Sequence, residues 1–91
     1  MKLFIFKPSK YWGYRGGGTV IAAKSFDRVS LVFRQSGHFG QVLKILYFFK
    51  TEKEVIKKKV EYAFDCWVLV AEFECPEIKK EKVILYDFNW T

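Results

Sequence analysis

The run Cys66-Trp67-Val68-Leu69-Val70-Ala71-Glu72-Phe73-Glu74 constrains this chain more than any other segment. It holds β-branched and aromatic side chains in a row, with no glycine, proline or helix cap to interrupt them. Trp67, Leu69, Ala71 and Phe73 alternate onto one face. The other face begins apolar with Val68 and Val70 and ends acidic with Glu72 and Glu74. Such a run is a strand, so the fold must contain a sheet that gives it neighbours.

Its neighbours are legible by the same signals. Residues 2–7 form an apolar run expected to be a strand covered on both faces, ended by Pro8. Residues 8–18 are a loop with Pro8, Gly13 and three consecutive glycines. Residues 19–24 and 42–49 are two further strands, and residues 83–90 the last. Between them, Ser25 reads as a helix N-cap with Asp27 in the first turn, and Phe26, Val29, Val32 and Phe33 share a helical face. Thr51 with Glu54 forms a capping-box pattern that opens a second helix. Its stripe is Val55, Ile56, Val60, Ala63 and Phe64. A hairpin return competes for 55–64, because Val60, Tyr62 and Phe64 also alternate.

The order is ββαβαββ. Strand–helix–strand steps favour parallel neighbours, and the two terminal pairs read as antiparallel hairpins. The expected class is α+β: one domain over residues 1–91, with a mixed, mostly antiparallel sheet of about five strands and one or two helices on one face. The open face of that sheet is expected to carry surplus aromatics. There are ten Phe, five Tyr and three Trp in 91 residues. A chain of this size buries only about 60% of its unfolded surface. Rings near the surface would meet a protein, a second copy or stacked bases. The competing reading is a dense core that compensates for small size.

Charge is divided along the chain. The net charge is +6 overall: residues 1–40 carry +6, residues 41–60 carry +4 and residues 61–91 carry −4. A basic surface attracts polyanions. Few Asn and Gln beside many Lys and Glu resemble a thermophile composition. No window is long and apolar enough for a membrane helix, and the N-terminal run is too short for a signal-peptide core. A cytoplasmic protein without membrane contact is the expectation.

Cys66 and Cys75 are nine steps apart. On one strand that is about 30 Å, with the side chains on opposite faces, so a disulfide between them is excluded. Reduced thiols and a reducing compartment follow. Cys66 beside Asp65 reads as a buried small hydrophobe rather than a nucleophile. The lone His38 completes no metal set, and no metal or cofactor is expected.

Three groups of residues carry functional readings. The loop Tyr11-Trp12-Gly13-Tyr14-Arg15-Gly16-Gly17-Gly18 lacks the spacing of a nucleotide-phosphate loop and runs into β-prone Thr19-Val20-Ile21. It does interleave rings with cations. Tyr11, Trp12 and Tyr14 could stack on single-stranded bases while Arg15 meets phosphate, supported by Lys53, Lys57 and Lys58. The bland alternatives are a tight loop and a solvated helix face. Tyr86, Phe88 and Trp90 would form a ladder on one face of the last strand, either core or dimer interface. Glu72, Glu74, Glu77 and Glu81 cluster near the last turn without calcium-loop spacing, as charges that guard a strand end. The leading expectation is a small binding protein, not an enzyme, working through protein–protein contacts or homodimerisation. A nucleic-acid-binding accessory protein is the alternative, and a small enzyme using His38 comes third.

Overall fold

The apolar N-terminal run becomes the strand that holds the sheet together. In the computed structural model, which describes residues 1–9, 17–36, 47–57 and 66–87, β1 spans Lys2–Pro8. It pairs antiparallel with β2 (Gly18–Ala23) on one side and β4 (Cys66–Glu74) on the other. β3 (Tyr47–Phe49) pairs parallel with β4 at one edge, and β5 (Lys82–Asp87) pairs antiparallel with β2 at the other. The order is β3-β4-β1-β2-β5. The expected class is the observed one: α+β, with a mixed, mostly antiparallel five-stranded sheet and helices on one face. Of the expected strand 42–49, residues 47–49 are seen as β3, and 42–46 lie outside the described residues.

One terminal pair is a hairpin and the other is not. β1 and β2 are antiparallel neighbours, as expected. β4 and β5 are not neighbours, because β1 and β2 lie between them. The physical reason is that β1 takes the side of β4 that β5 would have used. Cys75 donates its backbone N–H to the Met1 carbonyl at 2.8 Å, so the chain leaving β4 is first tied to the start of β1. The segment 75–81 then carries it past two strands to the free side of β2. The β3–α2–β4 step gives the expected parallel pair; the β2–α1–β3 step does not give neighbours, because β1 and β4 lie between β2 and β3.

Alternation on β1 places Phe4 and Phe6 on one face, at 0% and 1% exposure. Paired residues share a face, so Ile21 and Thr19 of β2 lie beside them. Trp67 and Leu69 of β4 and Phe48 of β3 join the same layer. Helix α1 (Val29–Gln35) covers it with buried Val29, Val32 and Phe33. The rings interlock: Phe6 and Phe48 have centroids 4.9 Å apart, Phe33 and Phe48 5.6 Å, and Phe4 meets the edge of Phe26 at 6.0 Å. The described rings therefore mostly fill the core. On the far face of β1, Leu3 and Ile5 are only half-buried and Lys7 is exposed, so the expected cover on both faces is incomplete.

The first helix starts later than Ser25 implied. A 3₁₀ turn over Phe26–Arg28 precedes α1, and the Ser25 side chain makes no cap hydrogen bond. Its backbone carbonyl accepts from Arg28 N–H instead. The expected apolar face of Phe26, Val29, Val32 and Phe33 is nonetheless the one that packs. At helix α2 (Glu52–Lys57), Glu54 N–H donates to Thr51 Oγ1 at 3.4 Å. The return bond to Glu54 Oε2 comes from Lys50 N–H, one residue ahead of a standard box. Residues 52–57 are helix, and the helix-or-hairpin choice over 58–64 lies outside the described residues.

Two one-residue insertions overturn the alternation read from the sequence. Opposite β1, Phe6 pairs Leu69 but Ile5 pairs Ala71, leaving Val70 as the extra residue. Trp67 and Leu69 thus face α1, whereas Ala71 and Phe73 pair with Ile5 and Leu3 on the other face. Opposite β2, Ile21 pairs Val83 but Val20 pairs Leu85, leaving Ile84 extra. Val83, not Ile84, packs on the core. Of the expected ladder of Tyr86, Phe88 and Trp90, position 86 pairs with Thr19, and it is Val83, not Ile84, that precedes it on that side; Phe88 and Trp90 lie outside the described residues. Each bulge shifts the period-2 pattern by one residue, which strand periodicity alone does not reveal.

Truncating Phe6 removes a ring that touches three others. Phe6→Ala is expected to lower the unfolding free energy by about 3–5 kcal/mol in urea denaturation. Leu31→Ala, at a side chain 43% exposed, is expected to cost about 1 kcal/mol or less. Similar losses for the two would contradict this placement of the core.

Candidate interaction surface

The two bulges decide what the sheet shows on the side away from α1. Register puts Leu3 and Ile5 of β1, Val20 and Ala22 of β2, Ala71 and Phe73 of β4 and Leu85 of β5 on that side. A half-solvated antiparallel sheet ordinarily turns polar side chains outward. Here Val70, Phe73 and Leu85 are 57%, 55% and 55% exposed, and Leu3, Ile5, Val20 and Ala71 are half-buried around them. Lys7, opposite Val68, and Lys82, opposite Ala22, are exposed at the rim. The surface is thus a contiguous apolar field with cations at its border. Nearer β3, the same side closes over: Phe49, Cys66 and Val68 form a second buried cluster.

The surface is anchored at both ends by polar contacts between distant residues. Arg28, at the start of α1, holds Glu81, just before β5: Nε reaches Oε2 at 2.7 Å and Nη2 reaches Oε1 at 2.6 Å. Lys24 N–H adds a bond to Oε2 at 3.0 Å. These bonds to the ionised form, the Arg28 bond first and the Lys24 N–H next, hold the Glu81 carboxyl down to about 2. The buried Thr19 hydroxyl donates to the Leu85 carbonyl at 2.8 Å, beside the β5 bulge. At the opposite edge, Ser9 Oγ donates to Glu52 Oε2 at 2.8 Å, while Ser9 N–H donates to the Cys66 carbonyl.

Most of the residues singled out from sequence for binding are not settled by these positions. Tyr11, Trp12, Tyr14, Arg15, Lys58, Phe88, Trp90 and His38 lie outside the described residues. Lys53 is exposed on α2. Lys57 ends α2, and Tyr86 sits on β5 opposite Thr19. Cys66 is buried and both cysteines are free thiols; the length of strand between them keeps them apart, whereas the expected opposite faces do not follow, because the extra Val70 shifts the alternation by one residue. Among the acidic cluster, Glu81 has a specific partner that sequence reading missed. No spacing rule links it to Arg28, since the contact depends on how β5 meets α1. Sequence reading also missed a shallow cleft of about 510 Å³ bordered by Lys2, Lys24, Lys79 and Glu74.

Among the described residues no group of three His, Cys, Asp or Glu is placed to hold a metal, and no helix is long and apolar enough to cross a membrane. Comparison with protein-family models, curated proteins and solved structures finds no match.

The Arg28–Glu81 clamp makes a pH prediction. The folded Glu81 carboxyl titrates near 2 against an ordinary value of 4.5, so it favours the folded state whenever it is ionised. That contribution is complete above about pH 5 and is lost as pH falls through 4.5 toward 2. Glu81→Gln is therefore expected to melt below the wild type at pH 7 and to converge with it near pH 2. A constant gap across that range in thermal denaturation would show that the clamp does not operate.

Proposed function

We propose that this chain is a protein-interaction module that uses the apolar side of its sheet as the contact surface. The observation that carries the reading is the exposure of Val70, Phe73 and Leu85 beside half-buried Leu3, Ile5 and Val20. Contiguous apolar surface rimmed by charge is what a protein contact needs: a centre that loses water and a border that stays wet. The bulges add weight, because they turn Phe73 and Leu85 away from the α1 side. The partner's matching surface is apolar at its centre, with acidic groups opposite Lys7 and Lys82.

A second reading, binding of single-stranded nucleic acid, is supported by the net charge of +6 and by the lysine-bordered cleft at Lys2, Lys24 and Lys79. In that reading Tyr11, Trp12, Tyr14 and Arg15 form a stacking loop, with Lys53, Lys57 and Lys58 on phosphates. A tryptophan-fluorescence titration with a short oligonucleotide separates the two. Saturable quenching that weakens steeply with salt favours nucleic acid. An unchanged signal at low salt rejects it.

The protein-contact reading is tested by placing a photo-reactive benzoylphenylalanine at Phe73 and, as a control, at Leu31 on α1. Irradiation in cells is expected to give discrete protein adducts from position 73 and few from position 31. Val70→Lys in the same chain is expected to reduce the adducts at least fivefold without altering the melting temperature by more than a few degrees. Equal labelling from the two positions would overturn the proposal.

A further inference from the structure

The edge strand β5 has a pattern that fits a second copy of itself. Over the described residues β3, at the other edge, spans three residues and β5 spans six. Among the described residues no strand pairs with the outer side of β5. An edge of this length, unpaired among the described residues, is a template for another strand, and proteins restrict such edges with charges and bulges. β5 has both, and together they permit one register.

The restriction can be read position by position. Lys82 pairs with Ala22 and Leu85 with Val20, so both belong to the side away from α1. Residue 87 holds the position opposite Gly18 on that side, and Val83 and residue 86 hold positions opposite Ile21 and Thr19 on the α1 side. Ile84 is the bulge residue. It and Leu85 are 45% and 55% exposed, and neither joins the core. With exposed Ile84 taken to share the place opposite Val20 with Leu85, as two residues of a bulge oppose one on the partner strand, the sides from 82 to 87 run far, near, far, far, near, far. The order is the same in both directions because the bulge sits at its centre. An unbulged strand of six residues would have opposite ends on opposite sides.

We propose that β5 pairs antiparallel with β5 of a second copy, with Lys82 of each chain opposite Asp87 of the other and Ile84 opposite Leu85. Directly opposed residues of an antiparallel pair must lie on one face, and this register satisfies that condition at every position. It sets unlike charges against each other at both ends of the contact and apolar residues at the centre. Slips by one residue put near positions against far ones and break the charge pairing. The contact is isologous, with its two-fold axis through the bulge and normal to the sheet. It joins two five-stranded sheets into one of ten strands, with both α1 helices on one side and both apolar faces continuous on the other. The edge contact does not depend on the face: a failure of photo-crosslinking at position 73 leaves this proposal standing.

Sedimentation velocity over a range of concentrations tests it, on the full chain and four variants. The wild type is expected to be a reversible dimer. Lys82→Asp and Asp87→Lys each replace two attractive pairs by two repulsive ones, and each is expected to weaken the dimer about tenfold. The double reversal, Lys82→Asp with Asp87→Lys, restores both pairs and is expected to recover wild-type affinity. Val70→Lys with Phe73→Lys leaves the edge untouched and is expected to leave the dimer intact. Melting curves check that every variant is folded. A monomeric wild type, a dimer indifferent to the single reversals, or a double reversal that fails to recover association would each overturn the proposal. So would a dimer lost only in the face variant.

Discussion

The rings of Phe4 and Phe6 organise the molecule because of the strand that carries them. β1 is hydrogen-bonded on both sides, so it cannot rotate or shift without breaking two ladders. Its alternation turns both rings to one face, where Phe26, Phe33, Phe48 and Trp67 close around them. Aromatic side chains bury more apolar area than any others, at roughly 25 cal/mol per Å² of area removed from water. Ring packing of this density lets a short chain hold a sheet with a seven-residue helix over it. Among the rings whose burial is described, most serve as core, and Phe73 is the exposed exception.

The open face is a consequence of two insertions rather than of composition. Without the extra Val70, Ala71 and Phe73 would continue the Trp67–Leu69 row toward the α1 side. Without the extra Ile84, the β5 row toward that side would be set by a different residue. Each bulge transfers large apolar side chains from one side of the sheet to the other at the cost of a local break in pairing. Thr19 offsets part of that cost by bonding the Leu85 carbonyl. The Arg28–Glu81 clamp then ties the β5 end of the sheet to the start of α1. Core, bulges and clamp together leave one side of the sheet apolar and accessible.

The candidate surface is partly legible in the sequence. An open sheet face was expected, and so was protein contact as the leading role for it. Its members were not identifiable, because Phe73 and Leu85 change sides through bulges that no turn residue announces. Lys53, Lys57 and Lys58 read as a cluster because they are close in sequence. The cleft of Lys2, Lys24 and Lys79 did not, because its members come from three separate segments that the sheet brings together. Glu81 looked like one of four similar acids until its geometry with Arg28 separated it from Glu72, Glu74 and Glu77.

Local chemistry was enough to place the described elements, apart from the start of α1. Runs of alternating apolar residues marked the strands, and i, i+3, i+4 spacing marked the face of α1. A threonine three residues before a glutamate marked the start of α2. Strand separation ruled out a disulfide between Cys66 and Cys75. These are interactions within a few residues, and each is written in the order of side chains. Pairing was another matter. That β4 would sit beside β1 rather than β5, that Val70 and Ile84 would be left over, and that Arg28 would meet Glu81 all depend on which distant segments compete for the same hydrogen-bonding edge. The partners in the Arg28–Glu81 and Thr19–Leu85 contacts stand 53 and 66 residues apart. Contacts at that range form only when the whole sheet closes on its ring core, since the entropy of bringing such segments together is offset by burial shared across all the strands.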